Sequence, residues 1–246
     1  SYAEAQKTQP WKQWAEDGAR QMVESGTTAA ADIVTDLDAA GALASQGMHG
    51  IAYWEVMGWH NAEWMEKGRT ELIRQLRRMN EEQLPNLGIS PHAPYTLESE
   101  PFVDLPDIAR QLNMRLHIHL AETPLEAGTY PPVLTTYSAA DWSDHDWESY
   151  RQLKEVGKGA SAIQFVDQLG SLGPDVHIAH GVWANGEDRR ILRQRGVGVA
   201  LCPRSNRITN TGKDAPVREY LEEGNLVSVG TDSLSSTPTL DLLDDV

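Results

Sequence analysis

Short runs in which apolar and polar side chains alternate punctuate this chain, and between them apolar residues return every three or four positions. Period two predicts strands, and the longer period predicts helices. The clearest strand is Leu116-His117-Ile118-His119-Leu120, whose aliphatic residues share one face and whose histidines share the other. Strands are predicted over 27–33, 49–56, 86–90, 116–120, 175–179, 196–201 and 226–230. Helices are predicted over 8–25, 36–46, 69–83, 106–112, 161–169, 186–195 and 215–223, with a last segment, 239–245, opening another. Gly26 is a plausible stop for the first helix. Pro91 and Pro94 make the segment after the third strand a fixed loop.

Strands alternating with helices argue for parallel pairing through right-handed crossovers. Polar residues gather just after the strands, which is where a (β/α)8 TIM-type barrel builds its sites. An open doubly wound sheet is the alternative, but it wants a Gly-rich loop after its first strand, and none is visible. The whole chain, 1–246, reads as one partial barrel domain. Residues 123–157 break the rhythm, being too long for an ordinary strand-to-helix loop. They read as an insertion, either a lid over a substrate or a surface excursion with helical pieces, and His145 within them as solvated.

Charge and cysteine content narrow the partners. At 246 residues the chain can bury a sizeable core. A formal net charge of −15 argues against nucleic acid and against an anionic membrane surface. No apolar run approaches the roughly 20 residues of a membrane span. One cysteine, Cys202, permits no disulfide within the chain and fits a reducing, cytoplasmic compartment. The first residues lack the apolar core of a signal peptide and do not begin with Met.

The strand ends carry the chemistry: His92, His119 with Glu122, His180, Cys202 to Asn206, and Asp232. Alternation groups Gly88, Ser90 and His92 on one face, and Ser228, Gly230 and Asp232 on one face of the last strand. His180 breaks the pattern, since alternation pairs His177 with Ala179, so it must lie past a bulge or in the loop. Each residue alone reads as an ordinary loop group; imidazoles and carboxylates at four strand ends together read as a shared metal-hydrolase site.

The segments SPHAPYTL, LHIHLAET, HIAHGV, CPRSN and GTDS, in this order, resemble the amidohydrolase superfamily. Within it they are similar to the cytosine deaminase-like and chlorohydrolase-like branch, which includes S-adenosylhomocysteine, methylthioadenosine and aminodeoxyfutalosine deaminases. The resemblance covers about residues 8–246 and is weak on substrate. It implies a metal-dependent hydrolytic deaminase of an aminated purine nucleoside or related heterocycle, with aminodeoxyfutalosine slightly favoured. One divalent ion, zinc or else iron, would be held by His119 and Asp232, the latter also bonded to the attacking water. Metal-bound hydroxide would attack the ring carbon, Glu122 would shuttle the proton as ammonia leaves, and His180 would polarise the hydroxide. His92 would contact substrate, Arg204 and Asn206 would line its pocket, and Glu55 and Trp54 are weaker substrate contacts. A homodimer or larger homo-oligomer is a further carry-over.

Other polar residues take structural readings. His117 and His177 are read as barrel-interior histidines and Cys202 as pocket wall, while His49 and His60 have no evident partner.

The chain departs from the family pattern at its ends. Members carry an HxH pair on the first barrel strand, a β-sandwich built from both chain ends, and closing helices after the eighth strand. Only strands equivalent to two through eight are present, so the sequence reads as a piece of a longer enzyme, or as a truncated homologue that has lost its metal. Two further functions stay open on these residues: a triazine-type chlorohydrolase or aminohydrolase, and a metal-free fragment with a binding role.

Overall fold

The computed structural model describes residues 10–81, 84, 86–128, 150, 153 and 155–246. Seven strands form one sheet in sequence order, β1 (Ala29–Val34), β2 (His49–Val56), β3 (Leu87–Pro91), β4 (Leu116–Leu120), β5 (Val176–His180), β6 (Gly198–Leu201) and β7 (Leu226–Val229). Every neighbouring pair is parallel. Helices connect them: α1 (Trp11–Glu24) precedes β1, α2 (Ala42–Ser45) follows it, and α3 (Asn61–Glu63) and α4 (Arg69–Glu81) link β2 to β3. Next come α5 (Ser99–Gln111), α6 (Ala162–Gln168), α7 (Gly186–Arg195), α8 (Pro203–Ile208) and α9 (Val217–Glu222). This is the strand-and-helix alternation of a TIM-type barrel, in a sheet that curls without closing.

Local chemistry sets the helix ends. α1 stops where Gly26 takes φ +89°, and the amides of Gly26 and Thr27 return to the carbonyls of Val23 and Met22. That is a Schellman closure, which a residue with a Cβ adopts only under strain. α7 starts on a reciprocal cap: Asn185 Oδ1 accepts from the Asp188 amide, and Asp188 Oδ2 accepts from the Asn185 amide.

Two predicted helices change on inspection, and one predicted strand-end stretch, 202–206, turns helical. The 36–46 segment splits into a 3-10 turn, Leu37–Ala39, and the short α2. The 106–112 segment starts at Ser99, because Pro106 lies inside α5 rather than at its head. Proline has no N–H to give the carbonyl four residues back, which is Phe102. Ser171 Oγ donates to that carbonyl instead, at 2.6 Å, so the lost helical bond is replaced. The 202–206 loop is the start of α8, with Pro203 at its first position.

The sheet divides the molecule into two faces. Its outer face presents Val34, Ala52, Val56, Ile89, Leu116, Ile118, Leu120, Val176, Ile178 and Val199 to the helices, forming one core with Leu72, Leu76, Phe102, Leu105, Ile163 and Leu192. The inner face carries Tyr53, Gly88, Ser90, His117 and His177, as the cross-strand register requires. Gly88 must be glycine there: a Cβ would stand 2.4 Å from the Tyr53 ring and 2.9 Å from the Arg115 carbonyl oxygen.

Among the described residues no pairing joins β1 to β7. The consequence is visible in burial. Inner-face residues of the middle strands are sequestered, Ser90 fully, whereas Ala29 and Ala31 of β1 and Leu226 and Ser228 of β7 are exposed. Most of the 123–157 segment, including Trp142, His145 and Trp147, lies outside the described residues. Its described start is a 3-10 turn, Pro124–Glu126, and Tyr150 and Leu153 are buried in the core. Among the described residues no helix is long and apolar enough to cross a membrane.

Candidate active site at the strand ends

Three backbone positions set up the site. Ala121, His180 and Asp232 have φ of 55°, 73° and 60°, in the left-handed region that non-glycine residues seldom occupy. Each sits at the carboxyl end of its strand, where such conformations mark functional turns. The turn at His180 resolves the break in alternation. The left-handed residue swings its imidazole round to stack on His119, with ring centroids 5.6 Å apart.

Glu122 follows the left-handed Ala121. Its loop is organised by Glu126, which is fully buried and accepts three backbone N–H bonds, from Ala121, Glu122 and Thr123, at 2.9, 2.9 and 3.0 Å. Burial pushes the Glu126 carboxyl up to about 8, against the pull of those donors. Glu122 Oε2 accepts from the Tyr95 hydroxyl at 3.3 Å, and Oε1 lies 3.8 Å from His180 Nε2.

The imidazole tautomers follow from the hydrogen bonds. Thr96 Oγ1 donates to the Ala93 carbonyl, so it must accept from His92 Nδ1, at 2.8 Å. His119 Nδ1 donates to the His92 carbonyl at 3.1 Å. His180 Nδ1 donates to Asn206 Oδ1 at 3.0 Å. All three rings are therefore fixed through Nδ1 and present a bare Nε2 to the site. Burial, reinforced by the other imidazoles, lowers two of them: His92 is pulled down to about 4, and His119 well below its ordinary value. Burial alone raises Glu55 to about 6. Its Oε1 is 3.9 Å from His92 Nε2.

One short helix serves the far side. On α8, Asn206 holds His180, and Ser205 Oγ donates to Asp232 Oδ2 at 2.6 Å. Asp232 Oδ1 accepts from the Ser233 amide at 2.7 Å. Arg204, expected in the pocket, is turned toward the C-terminal segment. It binds Asp245 through its backbone N–H and Nε and Asp244 through Nη1, and reaches Thr239 and the Asp241 carbonyl. Trp54 shares the face of Ala52 and Val56 and packs against the helix-side core, away from Glu55, because neighbours on a strand point to opposite faces.

The remaining expectations fall out as follows. His117 is buried against Tyr53, edge to face at 5.4 Å, and burial pulls it down to about 3. His177 lies beside it in the register. Cys202 is buried, which pushes its thiol up to about 12 and keeps it from acting as a thiolate. His60 has a partner, Glu98 Oε1 at 3.1 Å. Tyr95, Thr96, Glu126 and Ser205 were not singled out for the site by sequence reasoning. Only Glu126 had a readable signal, the Thr123-Pro124-Leu125-Glu126 capping box.

A divalent ion is compatible with this donor set. Glu55, His92 and His119 each offer one ligand atom, all within 4.8 Å of one another. Neutral imidazoles with bare Nε2 atoms beside a carboxylate suit zinc or iron. Among the described residues, the buried Ser90 Oγ, His117 Nδ1 and Asn206 Nδ2 find no hydrogen-bond partner. Polar atoms of that kind ordinarily have a partner in water or ligand.

The Amidohydrolase family matches residues 7–129 and 135–246. A 5-methylthioadenosine/S-adenosylhomocysteine deaminase of Thermococcus kodakarensis is 30% identical over 233 residues, 93% of this chain and 49% of that protein. A 5'-deoxyadenosine deaminase of Methanopyrus kandleri is 31% identical over 232 residues, 93% of this chain and 48% of that protein. The chain thus spans about half the length of the curated relatives it matches. Among solved structures, Helicobacter pylori aminofutalosine deaminase superposes with a TM-score of 0.73 at 20% identity, over 95% of this chain and 57% of that one. The zinc complex of Arthrobacter aurescens atrazine chlorohydrolase superposes with a TM-score of 0.68 at 20% identity, over 93% of this chain and 51% of that one. The chain belongs to the amidohydrolase family.

Proposed function

We propose that this chain carries the catalytic rim of a metal-dependent hydrolytic deaminase acting on an aminated purine nucleoside or a related heterocycle. The observation that carries the reading is the gap between Glu122 Oε1 and His180 Nε2, 3.8 Å across, beside the bare Nε2 of His119. Two acceptors facing each other at that distance call for a proton-bearing group between them, and an attacking water meets that need. A divalent ion held at His119, with Asp232 as the second family ligand, would lower the pKa of a coordinated water toward neutrality. Glu122 would carry the water's first proton to the ring nitrogen and its second, from the added hydroxyl, to the amino group, so that the C–N bond breaks with release of ammonia, which suits a carboxylate beside an open gap. His180, locked by Asn206, keeps Nε2 aimed at the same water. Ser205 holds the Asp232 carboxylate in place. His92 and Glu55, on the adjoining strand ends, border the space for the heterocycle.

Purine nucleosides are favoured over triazines because relatives near 30% identity are named as deaminases of 5-methylthioadenosine, S-adenosylhomocysteine or 5'-deoxyadenosine. The setting that goes with this reading is cytoplasmic. The test is ammonia release by the zinc-reconstituted chain from a panel of those nucleosides and aminodeoxyfutalosine, with chloride release from chlorinated triazines measured alongside. Ammonia from a nucleoside, abolished by Glu122→Gln, is expected. Chloride release alone would assign the triazine chemistry. Neither product, with no metal retained, would leave a metal-free binding role.

A further inference from the structure

We propose that Tyr95 is the positioning residue of the proton shuttle: its hydroxyl holds Glu122 Oε2, so that Oε1 alone carries protons between the attacking water and the heterocycle. The proposal rests on the deaminase reading, and it adds how the Glu122 carboxylate is aimed.

Glu126 fixes the backbone of Glu122 by accepting its amide, but the torsions of the side chain lie beyond that grip. Among the described residues, the Tyr95 hydroxyl is the one hydrogen-bond donor to the Glu122 carboxylate, at 3.3 Å from Oε2. The contact is long for an O–H···O bond, so it directs more than it strengthens. Burial, reinforced by the charges of Glu122 and Glu126, raises the phenol well above its ordinary range, which makes Tyr95 a standing donor.

Tyr95 is itself held on several sides. It follows Pro94 in a turn whose Thr96 and Leu97 amides both return to the Ala93 carbonyl. Its ring meets His92 edge to face at 5.5 Å and lies against Tyr150 at 5.0 Å. The Tyr150 hydroxyl bonds in turn to Thr123 Oγ1 at 3.0 Å, on the residue next to Glu122. The far end of the 123–157 insertion therefore reaches the site by bracing this ring.

The consequence is a division of labour between two oxygens. A carboxylate with both oxygens free can take a proton on either one and turn it away from the substrate. With a donor on Oε2, the water's proton is taken on Oε1, which faces His180 Nε2 across 3.8 Å. The same oxygen delivers it to the ring nitrogen, then takes the second proton and gives it to the amino group. Tyr95 keeps its own proton throughout.

The test is Tyr95→Phe in the full chain, read in two ways, with near-UV circular dichroism to verify its packing. Crystal structures of parent and variant are expected to differ at Glu122: its carboxylate leaves the His180 side or takes more than one conformer, while the 121–123 backbone stays on Glu126. With 5'-deoxyadenosine and the zinc-reconstituted chain, kcat is expected to fall about 10- to 100-fold, as a misplacement of about 1 Å does. KM should hardly move, because the hydroxyl acts on the shuttle and not on substrate binding. A Glu122 carboxylate unmoved in the variant would overturn the proposal and leave the deaminase reading standing, as would a moved carboxylate with kcat unchanged. A parent chain that releases no ammonia would sink the deaminase reading, and with it the proton-carrying role given to Oε1.

Discussion

Glu126 shows how one buried residue can govern another that does chemistry. Its carboxylate gathers the amides of Ala121, Glu122 and Thr123 and so holds the left-handed turn that aims Glu122. Glu126→Ala would strand three N–H groups, at a cost of about 3 kcal/mol or more. A lower thermal midpoint is expected, with lost hydrogen-exchange protection at those three amides; an unchanged midpoint would sink this account. Asp32, on the helix-facing side of β1, makes the opposite case. Burial alone raises its carboxyl from 3.8 to about 6. Between those values the folded chain binds more protons than the unfolded one, so stability falls as pH rises through the window, and the penalty is complete above about 6. Asp32→Asn should therefore stabilise the protein by on the order of 2 kcal/mol at pH 8 and by almost nothing at pH 3.5. Urea denaturation at the two pH values measures it, and equal gains at both would refute it. Asp32 drew no notice in the sequence because burial is a property of the fold, whereas Glu126 carried a capping-box signal whose convergence of three amides only the fold displays. Arg204 was misplaced for a related reason: its partners, Asp244 and Asp245, lie some forty residues away.

Elements were legible where the period was clean. β2 matches its predicted bounds, and the alternation in Leu116–Leu120 correctly put His117 and His119 inside. Alternation failed at His180 because it assumes extended backbone, and φ there is 73°. It also separates Glu55 from Trp54, a distinction open to sequence reasoning that the joint substrate assignment passed over. Proline misled once, at Pro106, where the breaker sits inside a helix whose freed carbonyl is rescued from another element. That rescue is open to measurement. Ser171→Ala should cost about 1–3 kcal/mol, because the Phe102 carbonyl is left buried and unpaired. Pro106→Ala restores an N–H able to reach the same carbonyl, so the double variant should recover part of the loss. A double-mutant cycle by chemical denaturation reads the coupling. Strict additivity would mean that Ser171 does not replace the missing helical bond.

At the scale of the whole molecule, seven parallel strands were readable, and among the described residues β1 and β7 are not paired with each other. The open seam exposes the inner face at β1 and β7, including Leu226 at 62% exposure. Unpaired strand edges beside an apolar face are a template for pairing with another chain. Opposing this is a net charge of −15, whose repulsion acts over the Debye length, about 10 Å at 0.1 M salt and about 3 Å at 1 M. The two effects respond differently to salt, since screening removes the repulsion and leaves edge pairing and apolar burial intact. Association should therefore grow with ionic strength as well as with concentration. Leu226→Lys should suppress it, because a charge on the seam must be desolvated before a second chain can pair there. Sedimentation velocity at about 0.05 M and about 0.5 M salt separates the cases. A chain that stays monomeric at both would show that the seam is protected. Association equally strong in Leu226→Lys would place the contact elsewhere on the surface.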